Sequence, residues 1–560
     1  MEDQAGFRKG RSTVDQLFTL TEIIKYRRPK PTYCAFIDVA KAYDKVWRDG
    51  LWYKLWKYGI RGKMWRVLRN IYKKVESSVL LGGSRTDWFE IFVGVRQGCI
   101  LSPLLFNLFV NDMRKAVEKI KKGVTCGKTT RISILLFADD VVVLADSKED
   151  LELMLKAIYE FSLKWRLKFN FDKCNVVKFD NVKGKVITYG NCVGKCNCNH
   201  HYAFGPQLIK EVLVYKYLGI ELDNCLNFKL FKSRILASAR GNMARIWSMG
   251  IRDGALSVKG AINLWMALIR SIMEYGAEIC KDKFPEGERI QYNMARRILQ
   301  CSSMTTKEAL LGELGWWTLH ARRNYKKLKY WYHIMTLGND RNPKRVYLVT
   351  RSTEAPGSWA TYINKLLVQY GVGHLLDNDH LLFNLDGKGN LESKSVDEHK
   401  RFWNSYIKGK IHDYEERQWW TEMTKDGDNS KLRTYVTFKK QLRLEKYLLS
   451  YADSLGRSMH TSLRTGTNDL EIDRARRFGI HRDLRICRFC NLNLVETERH
   501  FVLSCPLYKE YRDQLYRSIA NVSQNKWNFF NRSENDIFIL LPQGTGDEFQ
   551  KSFFEIFNLI

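Results

Sequence analysis

Apolar residues fall into three kinds of pattern along this chain. The first is the short run of strand length. Tyr33–Ile37 is one such run, closed by Asp38. Ile132–Ala145 holds two more, either side of Asp139-Asp140, and reads as strand–turn–strand. Val79–Val95 reads as a hairpin around Gly82-Gly83, and Val214–Leu222 as a further strand. The second pattern is helical spacing. It covers Leu51–Tyr72 and then Pro103–Lys119, where apolar residues stand at 104, 105, 108, 109 and 113. Leu151, Leu155, Ile158, Phe161 and Trp165 share one face of a helix opened by Ser147, which with Asp150 resembles a capping box. Residues 230–340 are helical in pattern, with Val258, Ile262, Trp265, Leu268, Ile269 and Ile272 on one face of Ser257–Cys280, and helical signal resumes over 400–480. The third pattern is the lack of either period. Residues 181–210 read as a loop or small hairpin, and 350–400 as a linker or loosely ordered insertion.

Strands near the start and helices beyond predict an α+β chain. At about 150 residues per domain, 560 residues allow three or four units. Apolar residues at 45% and aromatics at 13% exclude a mostly disordered chain. No stretch of about 18 uncharged apolar residues occurs, so no membrane span is expected. Met1–Gly10 has no apolar signal region, and thirteen cysteines scattered over the chain do not form a secreted disulfide scaffold. An intracellular, reducing setting is expected. Charge then narrows the partner: a net +31 calls for a polyanion, either nucleic acid or an acidic membrane surface.

Against that basic background three acids stand out. Asp38 ends an apolar strand, and Asp139 and Asp140 sit at the turn between two others. A carboxylate in such a place is costly unless paired, solvated or metal-bound. Three carboxylates brought together from distant positions suit two-metal phosphoryl transfer, and hard oxygen ligands favour Mg²⁺. An Asp-Asp pair alone also fits a plain hairpin turn.

The neighbouring text decides between these. FIDVAKAYDKV at 36–46, VRQGCILSPLLFNLFVND at 95–112 and LLFADDVVVLA at 135–145 resemble the three central motifs of reverse transcriptases, in the style of non-LTR (LINE-type, jockey-like) retrotransposons. QAGFRKGRST at 4–13, WRLKFNFDKC at 165–174 and YKYLGIEL at 215–222 are similar to further motifs of that family, and all six stand in its order. The resemblance implies that Asp38 ligates two Mg²⁺ ions with help from the Val39 carbonyl, and that Asp139 is the second metal carboxylate with Asp140 beside it. It implies that Tyr43 excludes a ribose 2′-hydroxyl and that Gln97 and Gly98 meet the incoming nucleotide and template. Arg8 and Lys9 would hold the triphosphate, Lys173 would serve as general acid towards pyrophosphate, and Tyr217-Leu218-Gly219 would grip the primer. Each has a plainer alternative: core packing for Tyr43, a solvated basic turn for Arg8 and Lys9, a buried strand for Tyr217.

Cys487-x₂-Cys490-x₉-His500-x₄-Cys505 has zinc-ligand spacing, and CRFC…ETERHFVLSCPLY resembles the zinc-binding tail downstream of many LINE-type enzymes. One structural Zn²⁺ is expected. Arg485, Arg488 and Arg499 fit either a nucleic-acid contact or a solvated surface. A second group, Cys192, Cys196, Cys198, His200 and His201, matches no strong zinc pattern and reads as an irregular loop.

The expected architecture is a right-hand polymerase: partial fingers and palm over 1–225, a helical thumb over 226–305, a helical connector over 306–480, a zinc knuckle over 481–515 and a tail over 516–560. Expected partners are an RNA template, a DNA primer or target and deoxynucleoside triphosphates. The start near QAGFRKGRST suggests an N-terminally truncated chain, with an endonuclease domain expected upstream. The expected function is an RNA-directed DNA polymerase. The alternative is an inactive relic that keeps nucleic-acid binding, and a maturase-like protein fits the flanking motifs less well.

Overall fold

The computed structural model describes residues 4–128, 130–180, 201–251, 255–354, 357–376, 396–425, 427, 430–450, 454–522 and 538. The chain divides into two units. One comprises Met1–Lys232, Glu278–Lys281 and Tyr330–Leu367; the other comprises Ser233–Ala277, Asp282–Lys329 and Val368–Ile560.

The first unit opens with α1 (Thr13–Arg27), whose N-cap Ser12 and Asp15 form a reciprocal capping box. Strand β1 (Thr32–Asp38) follows, then helices α2 (Arg48–Lys57) and α3 (Gly62–Ile71). The single helical region expected over 51–72 is therefore broken. Gly59 and Gly62 both take positive φ, +88° and +63°, which ends one helix and starts the next. Four two-residue strands, β2 (Glu76–Ser77), β3 (Leu80–Leu81), β4 (Ser84–Arg85) and β5 (Phe89–Glu90), build the expected hairpin around Gly82-Gly83. Helices α4 (Ser102–Val110) and α5 (Asp112–Glu118) lead to a small hairpin of β6 (Val124–Cys126) and β7 (Thr130–Ile132). Then come β8 (Ile134–Phe137), β9 (Asp140–Ala145) and α6 (Lys148–Trp165). The Ser147 hydroxyl accepts from the Asp150 N–H, while the Asp150 carboxylate pairs with Lys122 at 2.9 Å.

Strands β10 (Asn175–Phe179), β11 (His201–Phe204) and β12 (Gln207–Glu211) complete a six-stranded sheet in the order β11-β12-β10-β1-β9-β8. Only β10 and β12 run parallel in it. A separate hairpin, β13 (Val214–Tyr217) and β14 (Ile220–Asp223), replaces the single strand expected over 214–222. Its two loop residues, Leu218 and Gly219, have φ +44° and +80°, the signs of a type I′ turn. Leu-Gly is not one of the usual turn pairs, so local sequence does not announce it.

Period-2 alternation sorts β1 between two faces. Ala35 and Ile37 join a core with Phe106, Phe109 and Met113 of α4 and α5 and with Leu151, Leu155 and Ile158 of α6. Phe36 takes the other face, stacked on Tyr215 at 4.3 Å and near Tyr217 at 5.4 Å. Both faces are covered, which is why the strand reads as an unbroken apolar run. Within 350–400, Trp359–Gln369 is helical, with Trp359 buried against Phe18 of α1 at 4.9 Å, and 377–395 fall outside the described residues.

The second unit is helical, including Lys229–Ile246 from Ser233 onward, Pro285–Leu299, Val396–Thr424 and Ser454–Arg464. Its core holds a buried ion pair, Arg464 to Glu313 at 2.9 Å, with Tyr447 donating to Glu313 at 2.5 Å. Removing one partner of such a pair would strand a buried charge. Among the described residues, no helix is long and apolar enough to cross a membrane.

Candidate active site and metal centre

The strand pairing itself assembles the acids. Asp38 is the register partner of Asp140 across antiparallel β1 and β9, and Asp140 also pairs with Phe137 of β8. Asp38 lies two residues beyond Phe36, so both point to the face under Tyr215. Asp139 occupies the two-residue loop between β8 and β9, after Ala138. All three acids are half-buried. Burial pushes the Asp140 carboxyl up to about 6, with repulsion from Asp139 and Asp38 adding to it. Asp139 is also raised, by burial first and by Asp38 among the lesser causes, while Lys173 acts in the opposite sense. The site thus carries more negative charge than its neighbours neutralise, the electrostatic condition for a cation. The acids feel one another's charge without converging on a point. Among the described residues, the set of three or more metal-type ligand atoms lying within 4.8 Å of one another is the Cys/His group instead.

Lys173 reaches the site from the turn before β10, its Nζ 3.8 Å from Asp38 Oδ2 with the side chain largely exposed. Tyr43 lies half-buried with its ring 5.3 Å from Phe106 and 6.5 Å from Phe7. Its hydroxyl is buried without a hydrogen-bond partner. Burial, then Asp139, raises that phenol. Gln97 is exposed and donates to Asp44 Oδ1 at 2.7 Å, which ties it to the loop after β1. Gly98 stands beside it with φ +80°. Arg8 donates to the Gln4 carbonyl at 3.2 Å, and Lys9 is exposed. Tyr217 is buried with its hydroxyl unpartnered, so it is Leu218 and Gly219 that occupy the hairpin turn.

Several residues at this site were not singled out by sequence reasoning. Tyr215 stacks on Phe36, and burial followed by Asp140 pushes its phenol up to about 12. The Asp38 N–H points to Cys174 Sγ at 3.5 Å, and the Asp38 carbonyl accepts from Asn170 at 2.9 Å. Gln4 is 2% exposed and bonded to Ala138. A polar residue just ahead of a glycine in QAGF was the available signal, but nothing local reveals a partner 134 positions away.

In the second unit, Cys487, Cys490, His500 and Cys505 come together with all four ligand atoms within 4.8 Å. Ile486 and Val495 bridge the first loop, and the Cys487 N–H donates to the Leu494 carbonyl at 2.9 Å, giving a knuckle. His500–Ser504 is a π-helical turn, and the Cys505 N–H closes it on the His500 carbonyl at 2.8 Å. That i to i+5 spacing brings the two residues round to one side. His500 Nε2 is 3.4 Å from Cys490 Sγ, and His500 Nδ1 is buried without a partner. Burial pushes the Cys487 thiol up to about 12, raises Cys505 and lowers His500. Three sulfurs and an imidazole at this separation fit a tetrahedral zinc ion. Arg485 is committed to the carbonyls of Ile472 and Ile480, and Arg488 to Glu471 at 3.0 Å. Both hold the local fold. Of the second Cys/His group, Cys192, Cys196, Cys198 and His200 lie outside the described residues, and His201 begins β11.

Residues 1–222 match the family model for reverse transcriptase (RNA-dependent DNA polymerase). The RNA-directed DNA polymerase from mobile element jockey of Drosophila melanogaster is 28% identical over 285 residues, which cover 49% of this chain and 29% of that protein. The probable RNA-directed DNA polymerase from transposon X-element of the same species is 26% identical over 383 residues, 63% of this chain and 39% of that protein. The chain thus spans between 29% and 39% of the length of these relatives. Among solved structures, telomerase from Candida tropicalis aligns over 66% of this chain and 53% of its own, at 11% identity and a TM-score of 0.29. The likeness to the reverse transcriptase family thus lies in residues 1–222, and the relatives that resemble the chain include the polymerases of jockey-type mobile elements.

Proposed function

We propose that this chain is an RNA-directed DNA polymerase that extends a DNA 3′-end by two-metal nucleotidyl transfer, in the manner of a non-LTR retrotransposon enzyme. The observation that carries the reading is the pairing of Asp38 with Asp140 across β1 and β9, with Asp139 in the adjoining loop. Hard oxygens in surplus suit magnesium. Two Mg²⁺ ions, when bound, activate the 3′-hydroxyl and neutralise charge developing on the leaving pyrophosphate.

The chain's own groups do the rest. Asp38 and Asp139, with the Val39 carbonyl, offer the metal ligands, and Asp140 sets the local charge. Lys173, close to Asp38, supplies a proton to departing pyrophosphate. Arg8 and Lys9 bind the triphosphate from the adjoining loop. The Tyr43 ring, propped by Phe106, blocks a ribose 2′-hydroxyl. Gln97, steadied by Asp44, and Gly98 line the nucleotide and template. The Leu218-Gly219 turn meets the primer end.

In this reading residues 1–225 are palm with partial fingers, 226–305 a thumb, 306–480 a connector, and 481–515 a knuckle stabilised by one zinc ion. A net charge of +31 supports an RNA template with its DNA primer as the polyanion. Primer extension on poly(rA)/oligo(dT) with Mg²⁺ tests the reading. Incorporation that vanishes in the Asp139→Ala, Asp140→Ala double variant is expected. Equal signal, or none in either protein, would leave nucleic-acid binding as the function.

A further inference from the structure

The loop that carries Asp139 is held from outside its own hairpin. Ala138, the first of the two loop residues, has φ +56°. Glycine adopts that region freely, whereas an alanine Cβ is crowded there. Of the two loop residues only Ala138 is in that region, the pattern of a type II′ turn, which favours glycine at the same position. This chain has alanine, so the conformation needs external support.

Gln4 supplies it. Its Oε1 accepts from the Ala138 N–H at 3.0 Å and from the Gly6 N–H at 2.8 Å, and its Nε2 donates to the Ala138 carbonyl at 3.3 Å. The Ala5 N–H donates to the Leu136 carbonyl at 2.8 Å, and Gln16 of α1 donates to the same oxygen at 3.1 Å. Gly6 lies flat against the loop: a Cβ there would stand 2.2 Å from the Ala138 nitrogen. Asn107 of α4, 3% exposed, donates to the Gly6 carbonyl at 2.7 Å and anchors the segment to the core. A buried amide bonded to both the N–H and the C=O of one strained residue fixes that residue's orientation. A hydrocarbon of equal volume would fill the space without doing so.

We propose that Gln4 is a positioning residue of the carboxylate hairpin. It holds Ala138 in its left-handed conformation and so sets the direction in which the next residue, Asp139, presents its carboxylate. Gln4 itself meets neither substrate nor metal. The proposal rests on the reading of Asp139 as a metal-holding residue.

If Gln4 acts by stabilising the left-handed Ala138, its loss is compensated by glycine at 138, which takes that conformation without help. The experiment compares wild type, Gln4→Met, Ala138→Gly and the double variant as full chains. It reads primer extension at varied Mg²⁺, hydrogen exchange over residues 134–140, and the melting midpoint. For Gln4→Met the expected result is a fall in kcat of about tenfold or more. A higher half-saturating Mg²⁺ and exchange accelerated over 134–140 should accompany it. Ala138→Gly in that background should restore most of the kcat and the Mg²⁺ dependence. A purely structural role would instead lower the melting midpoint, leave Mg²⁺ dependence alone and give no rescue by glycine, which would overturn the proposal. Should Gln4→Met fail to fold, Gln4→Asn keeps a neutral amide but is one methylene too short to span both backbone groups of Ala138. It is expected to show a smaller shift of the same kind, again relieved by Ala138→Gly; no shift overturns the proposal. Should wild type lack polymerase activity, the polymerase reading falls while exchange over 134–140 still decides the clamp.

Discussion

Asp38 and Asp140 face each other as register partners on neighbouring antiparallel strands, on the sheet face that Tyr215 covers. Two like charges directly opposite each other destabilise a strand pair. The arrangement persists because the surrounding apolar residues of β1 and β9, from Cys34 to Ile37 and from Val141 to Ala145, are all buried. The core overrides the local repulsion, and a bound cation would relieve it.

That cost has a pH signature in the metal-free protein. The Asp140 carboxyl is raised from 3.8 to about 6, so the folded state binds its proton more tightly than the unfolded chain does. The associated stability is fully present below about pH 4 and is lost as pH rises through about 6. Asp140→Asn should therefore stabilise the metal-free chain at pH 7.5 by roughly 1–2 kcal/mol after allowance for partial exposure, and by little at pH 4. Urea unfolding of both proteins at the two pH values checks it. A stabilisation independent of pH would contradict the assigned cause.

Tyr43 yields a prediction about sugar selection. Its hydroxyl has no partner, and its ring rests on Phe106 at 5.3 Å. Tyr43→Phe should therefore leave discrimination unchanged. Tyr43→Ala should raise the kcat/KM ratio of ribonucleotide to deoxyribonucleotide by roughly 10–200-fold. Single-nucleotide extension with each triphosphate measures both.

The Cys487, Cys490, His500 and Cys505 cluster makes a stoichiometric prediction. One zinc ion per chain is expected by metal analysis, and Cys490→Ser should lose it. Because structural zinc contributes folding energy directly, hydrogen exchange over 486–505 should rise steeply in that variant. Unchanged metal content in Cys490→Ser would remove the ligand assignment.

The β13–β14 hairpin offers a separation of stability from function. Leu218 sits at φ +44° in a turn that favours asparagine before glycine. Leu218→Asn should stabilise the chain by about 1 kcal/mol. If the turn meets the primer, the same variant should raise the KM for primer–template. Melting curves and steady-state extension, run in parallel, distinguish the two effects.

Much of this site was legible in the sequence because its signals are local. An apolar run closed by an acid, an Asp-Asp between two apolar runs, and a CxxC followed by a His/Cys pair each lie within a few residues. Spacing there predicts strands, a turn and a zinc-type ligand set, while the expected metal role of the acids comes from the resemblance of the flanking motifs to reverse transcriptases. Broader patterns misled where one residue breaks them: Gly59 and Gly62 split a helix that periodicity ran together, and Leu218-Gly219 folded an apparent strand into a hairpin.

The sequence by itself determined which residues could carry charge, metal and nucleic acid, since residue chemistry and short-range period need no partner. Only the tertiary structure decided which of them meet. Sheet register set Asp38 against Asp140 over 102 positions of chain, and a buried amide at position 4 reached the loop at 138. Register and buried hydrogen bonds arise when separate segments exclude water together, and that condition exists only once the chain has folded.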